Sequence, residues 1–354
     1  MRIIDRYLGL NVLLATLLVL AVLLGVELFF TLVEELGDVG KGTYGVFDAL
    51  AYVLLTLPRR AYELLPVSAL LGAVAALGLL ASHGELVVLR AAGRSILNIG
   101  LGVLKTGLLI ALGGMLMGEF VAPGAEQYAQ AQRSMAKTNR ATLQTAEGFW
   151  AKDGGTFIHI QDILPGAVLA GITIYEFDDS QQLRVATLAR RALFRDGHWV
   201  LEGLEQSVLE EERVRTYSLD QAGWDTMLNP DLLSVAIVKP ENLSAYGLHR
   251  YIAYLEDNDL DAGRYRLAFW QRLAKPLAIA VMVLLAVPFT FGPLRSAHTG
   301  ARLVVGAVAG FAFHLFNLTA GQLSLVYGAS PLFGAFVPSL VFLAAALVLA
   351  RRNA

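Results

Sequence analysis

The chain has 354 residues, 56% of them hydrophobic and 16% charged, with a formal net charge of -2 and no cysteine. Soluble globular proteins carry about 45–50% apolar and about 25% charged residues, so an ordinary soluble enzyme is excluded. The lack of Cys excludes a disulfide framework, a thiolate metal site and a cysteine nucleophile.

A helix crossing a ~30 Å hydrocarbon core needs about 20 mostly apolar residues. The first such run covers 8–33 and is interrupted by Glu27. It is too long for the apolar core of a cleaved leader and reads as a retained anchor. The second covers 64–81, beginning beside Pro66 after an apolar approach at 49–57, and the third covers 96–122, with Lys105 and Glu119 near its ends. After a long polar stretch, apolar runs resume at 276–291, 303–323 and 331–350. The expected fold is therefore an α+β membrane protein with six transmembrane helices, three on either side of an insert. Residues 1–125 hold the first three spans, 126–262 the insert and 263–354 the last three.

Orientation follows from Lys and Arg in the short loops. Arg2 and Arg6 precede the first span, Arg90 and Arg94 follow the second, Arg295 and Arg302 follow the fourth, and Arg351 and Arg352 follow the sixth. The loop after the first span instead holds Glu34, Glu35, Asp38 and Asp48 against Lys41 alone. All the basic loops fall on one side, so both termini are expected in the cytoplasm and the insert outside it.

The insert opens with a polar helical exit at 127–140 and continues as short β-type runs between turn signals. One starts at Phe149-Trp150, turns at Asp153-Gly154-Gly155 and resumes at 156–160; another covers 171–177 and closes at Asp178-Asp179-Ser180. The runs 184–194 and 199–204 flank Arg195-Asp196-Gly197-His198, a hairpin signal, and 208–217 alternates weakly. Short strands at regular turns argue an antiparallel sandwich or jellyroll. Ser244 then caps a short helix at 246–255.

Few residues suggest chemistry. The string Gly37-Asp38-Val39-Gly40-Lys41-Gly42-Thr43 lacks the spacing and the preceding strand of a phosphate-binding loop. His83, His159, His198, His249, His298 and His314 are scattered and form no zinc motif. His314, one turn from Asn317 inside the fifth span, is expected to hydrogen-bond another helix. Glu85 to Ala92, closed by Gly93, reads as a short helix with Glu85 at the positive end and Arg90 near the negative end. It is either a connector lying on the bilayer or a docking helix for a cytoplasmic partner. Arg59, Arg60, Arg133, Arg264, Arg266, Arg272 and Lys275 gather near the outer ends of the spans. They are either snorkelling side chains or a ring for an anionic lipid headgroup. Gly114-x-x-x-Gly118 and Gly306-x-x-x-Gly310 permit close helix approach, within the chain or against a partner. On the residues alone, a transport permease competes with a membrane-anchored receptor or assembly module without transport activity. A lipid-modifying enzyme, the third reading, lacks clustered acid–base groups at one depth.

The chain resembles, over almost its whole length, the permease subunits of the lipopolysaccharide export ABC transporter, and the G type more than its F paralogue. The likeness is carried by Asp5-Arg6-Tyr7, Glu85-Leu86-Val87-Val88, Trp150-Ala151-Lys152-Asp153-Gly154, Asp261-Ala262-Gly263-Arg264-Tyr265, Phe291-Gly292-Pro293-Leu294-Arg295-Ser296 and Leu325-Val326-Tyr327-Gly328. The resemblance implies a periplasmic β-jellyroll as the insert and a bacterial inner-membrane location. Its implied partners are a homologous F-type permease, a dimeric cytoplasmic ATPase that holds the ATP and Mg, a single-span periplasmic bridge subunit, lipopolysaccharide and membrane lipid, with no nucleic acid. It implies no cofactor on this chain and no catalytic residue. Residues 84–93 would form the coupling helix, with Glu85, Leu86, Val88, Leu89 and Arg90 engaging the ATPase. Lys41, Arg59, Arg133 and Arg272 would meet the headgroup. One departure stands out. Where the family carries lysines near the outer end of its first span, this sequence offers Glu27, Thr31, Glu34, Glu35 and Asp38, with only Lys41 basic.

Overall fold

The computed structural model describes residues 3–138, 148–164, 168–178, 180–195, 197–210, 213–226, 228, 230, 239–291 and 299–353. The sequence readings at Arg2, Arg140, Asp179, Asp196, Arg295, His298 and the motif segment 292–296 lie outside them. The chain separates into two compact units, one formed by Met1–Glu34, Val53–Glu126 and Gly263–Ala354, the other by Glu35–Tyr52 and Gln127–Ala262.

The first unit is helical. It contains α1 (Ile3–Leu36), α3 (Leu57–Ser82), α4 (Glu85–Ala91), α5 (Ile96–Leu116), α8 (Gly263–Phe291), α9 (Thr299–Val326) and α10 (Pro331–Asn353), with α2 (Val46–Leu55) leading into α3. A π-helical turn, Met117–Val121, joins α5 to α6 (Ala122–Thr138). Among the described residues, six helical stretches are long and apolar enough to cross a membrane. Four of them begin earlier than their apolar runs, the helices starting at Leu57 and Gly263 by the widest margin. Pro58 lies in the first turn of α3, where its missing N–H costs nothing. Pro66 and Pro276, which mark the edges of the apolar runs, are inside α3 and α8.

The bundle is built around α3 and α8. In their apolar windows 72% and 67% of residues are buried, against 11% in α1 and 17% in α9. Small residues let the backbones meet. A Cβ at Gly118 would reach the Tyr62 ring at 2.8 Å, and one at Gly114 would reach Leu65. Gly306 and Gly310 pack on Leu71, Val74 and Val67 of α3 in the same way. Both glycine pairs therefore serve packing within the chain. Leu8, Val12, Thr16 and Leu20, spaced four apart, form the buried stripe of α1, and Gly72 admits the backbone at Thr16.

The second unit holds one antiparallel sheet in sequential order: β1 (Phe149–Asp153), β2 (Thr156–Leu164), β3 (Val168–Phe177), β4 (Leu183–Arg195), β5 (His198–Leu209) and β6 (Val214–Trp224). Among the described strands it is a single-sheet meander, and the strand order follows from hairpins at every turn. One boundary differs from the sequence reading, which ran 208–217 together. Val208 pairs with Val185 as part of β5, and the chain reverses between Glu210 and Arg213, whose side chains bond at 2.6 Å. Ile158, Ile160, Ile172, Ile174, Ala189 and Leu204 form the buried face, as the period of two requires. Trp199 is buried and donates its indole N–H to the Leu228 carbonyl at 2.6 Å. Ser244 caps α7 (Ala245–Asp257), accepting from the Gly247 N–H at 3.0 Å. The end of α7 is tied to the first hairpin: Tyr254 donates to the Lys152 carbonyl at 3.0 Å, and Asn258 Oδ1 accepts from the Gly154 N–H at 3.1 Å.

Candidate functional site

The short helix α4 has two distinct faces. Gly84 takes a left-handed φ of +77°, which lets the chain leave α3 and start again at Glu85. Gly93 ends the helix in the same region, with the Arg94 N–H bonded to the Leu89 carbonyl and the Gly93 N–H to that of Arg90. Leu86 is buried in the helical core and Leu89 packs partly against it, so these two hold the helix in place. Leu86 therefore lies inside, off the open face on which the sequence reading counted it, whereas Leu89 keeps part of its surface accessible. Val87 and Val88 are 57% and 67% exposed, with Arg90 exposed beside them. Val87, which the sequence reading left out of its partner-facing set, is therefore on the exposed face with them. Glu85 accepts a hydrogen bond from the Tyr7 hydroxyl at 2.8 Å.

The four expected headgroup cations are all engaged by carboxylates. In the helical unit, Arg59 pairs with Glu63 at 3.1 Å and Glu126 at 3.3 Å. Arg272 donates to the Gly118 carbonyl at 2.5 Å and to Glu119 at 3.2 Å, and the π-helical turn is what presents both acceptors. Arg60, the neighbour of Arg59, pairs at 2.6 Å with Glu27, the acid of the first span. Lys275 differs. Among the described residues no carboxylate lies within ion-pair distance of it, and its ammonium stands 3.9 Å over the Tyr62 ring. At the opposite end of the bundle, Lys105 pairs with Asp5 at 2.9 Å.

The second unit contains Lys41 and Arg133. Arg133 binds Glu35 at 2.7 Å and Asp38 at 3.3 Å and covers the Tyr52 ring. Lys137 binds the same two acids, and Lys41 reaches Asp38 at 2.6 Å. Tyr44 donates to Glu35 at 2.8 Å. The hydrogen bond from Lys137, then that from Lys41, holds the Asp38 carboxyl well below the usual carboxylate range. Burial, reinforced by the Glu35 bond, pushes the Tyr44 phenol well above its ordinary value, so it stays a donor. Two acids thus organise three cations here, and an incoming phosphate has to compete with them.

Sequence reasoning missed these pairings because the partners are distant along the chain: 67 residues for Arg59 and Glu126, 98 for Arg133 and Glu35, 153 for Arg272 and Glu119. A signal was nonetheless present, since acids inside or beside apolar runs are costly and call for a partner. The histidines form no cluster: among the described residues no group of His, Asp and Glu is arranged to hold a metal ion. His159 lies against Trp150, with ring centroids 4.7 Å apart and the rings tilted by 45°. His314 is exposed on α9, so the helix expected to bond it is not found among the described residues of this chain and its polar ring faces outward.

The family model described as "Lipopolysaccharide export system permease LptF/LptG" matches residues 6–352. The lipopolysaccharide export system permease protein LptG of Escherichia coli (strain K12) is 38% identical over 354 residues, covering 99% of this chain and 98% of its own length. The LptG protein of Haemophilus influenzae (strain ATCC 51907 / DSM 11121 / KW20 / Rd) is 38% identical over 341 residues, covering 96% and 95%.

Proposed function

The chain belongs to the lipopolysaccharide export permease family LptF/LptG, and from that premise we propose that it is one half of the membrane channel of an ATP-driven lipopolysaccharide extractor. As a multi-pass inner-membrane permease of this family it has lipopolysaccharide export as its task. In the proposed arrangement both termini and α4 lie in the cytoplasm and the β-sheet lies in the periplasm, as the basic loops argue. A homologous F-type permease covers the faces that α1 and α9 leave open. Polar His314 supports this, since such a group facing lipid is expensive. A dimeric ATPase supplies the hydrolysis, holding ATP and Mg itself, and a single-span bridge subunit receives the lipid from the β-domain.

The single observation that carries the reading is α4, a seven-residue helix pinned from below by Leu86, exposing Val87 and Val88 and leaving Glu85 partly open. ATP-driven closure of the ATPase moves this helix, the helices around α3 and α8 follow, and the lipid is pushed upward. This chain contributes shape, an apolar lining and charge to the path. Lys275, with its ammonium on Tyr62, is the cation best placed to exchange an aromatic partner for a phosphate. Arg59, Arg133, Arg272 and Lys41 do so only by releasing a carboxylate. Replacement of Glu85 by Ala tests the coupling. The complex should assemble, while ATP-driven lipid release from proteoliposomes falls. Unchanged release would remove α4 from the coupling path.

A further inference from the structure

We infer that Tyr7 is a positioning residue for the coupling step, holding Glu85 by its hydroxyl and so making α1 move with α4. The inference rests on the reading of α4 as the site that meets the ATPase. Tyr7 is 47% exposed, so core burial does not explain its ring. Its hydroxyl reaches a residue 78 positions away, Glu85 Oε2, at 2.8 Å. The other carboxylate oxygen, Oε1, has His83 Nδ1 at 3.9 Å, and the Glu85 side chain is 38% exposed. One oxygen is thus bound within the chain while the side chain still faces outward. Glu85 can answer to α1 and to a partner together.

The same turn of α1 is fixed at two further points. Asp5 binds Lys105 of α5 at 2.9 Å and approaches Arg94, in the turn between α4 and α5, at 3.7 Å. The first turn of α1 is therefore bonded to the helix that docks, the turn that follows it and the helix beyond. Farther along, α1 buries only 11% of its apolar window and is tied again at Glu27, which pairs with Arg60 of α3 at 2.6 Å. A helix of 34 residues is a stiff rod of about 50 Å. Pinned by polar contacts near both ends and lightly buried between them, such a rod carries a displacement of one pinned end along its length. The Tyr7–Glu85 bond is the link through which displacement of α4 enters it.

The test compares Y7F, E85A and Y7F/E85A in the full complex with the ATPase, reconstituted into proteoliposomes with lipopolysaccharide and read as lipid released per ATP hydrolysed. Y7F removes one oxygen and leaves the ring. It is expected to lower this ratio about three- to tenfold, within the range of a typical intramolecular hydrogen bond's net contribution. The double variant is expected to fall no lower than E85A alone, because both changes break one link. A wild-type ratio in Y7F, or losses that multiply in the double variant, overturns the inference while leaving transport standing. Absence of ATP-driven release in the wild-type complex overturns the transport reading and this inference with it.

Discussion

Replacing Val88 by Asp separates docking from folding. Val88 is 67% exposed in this chain, so the substitution should change the chain's own stability by no more than about 0.5 kcal/mol. Covered by a partner, a valine contributes about 1.5–3 kcal/mol through burial, and a carboxylate in its place adds a desolvation cost. The variant should therefore lose at least about 2 kcal/mol of affinity for the ATPase, about thirtyfold. Leu86→Ala supplies the contrast. Leu86 is 2% exposed inside the core, and a large-to-small change there costs about 2–5 kcal/mol of stability. The assay is titration of the purified ATPase onto the permease complex in nanodiscs, with thermal melting measured beside it. Val88→Asp should fail in binding at an unchanged melting temperature, and Leu86→Ala should melt early. If Val88→Asp binds the ATPase as the wild type does, the exposed face of α4 is not the docking surface.

Arg272→Ala removes the donor that serves Glu119 and the Gly118 carbonyl from a site where the two side chains are 11% and 22% exposed. It should cost about 2–4 kcal/mol of thermal stability, measurably more than its effect on lipopolysaccharide affinity; the reverse order would make it a headgroup ligand first. Asp38 has its carboxyl held low by Lys137 and Lys41. The stability it contributes is present above the ordinary carboxylate value of about 4 and is lost only as pH falls through the depressed one. Thermal melting followed down to about pH 4 should show this contribution intact, and Asp38→Asn should lower the melting temperature at neutral pH. A variant that melts with the wild type would show the network to be energetically idle.

The six spans were legible because about 20 apolar residues per crossing leave a coarse signal. The β-domain was legible because Asp153-Gly154-Gly155 and the turn at Gly197 punctuate it. What periodicity did not reach was long-range pairing. Nothing near Arg133 announces Glu35, and nothing near Tyr7 announces Glu85, although both bonds form. The glycine pairs at 114/118 and 306/310 were visible, but whether they served this chain or a partner depended on which side chains α3 turns toward them. The same holds for α4. Its existence followed from a helix-forming run and the stop at Gly93, whereas the assignment of Leu86 to the inside and Val87 to the outside needed the core it rests on. The boundary near 208–217 was misplaced because a Glu–Arg turn lacks the usual Gly or Asn signature.

The most direct measurement is gentle purification through a tag on this chain, with identification of everything retained. The account predicts a stoichiometric soluble ATPase, a second six-span permease and bound lipopolysaccharide. A chain that emerges alone under several mild conditions, carrying neither ATPase nor lipid, would contradict it and favour a receptor or an anchored assembly module.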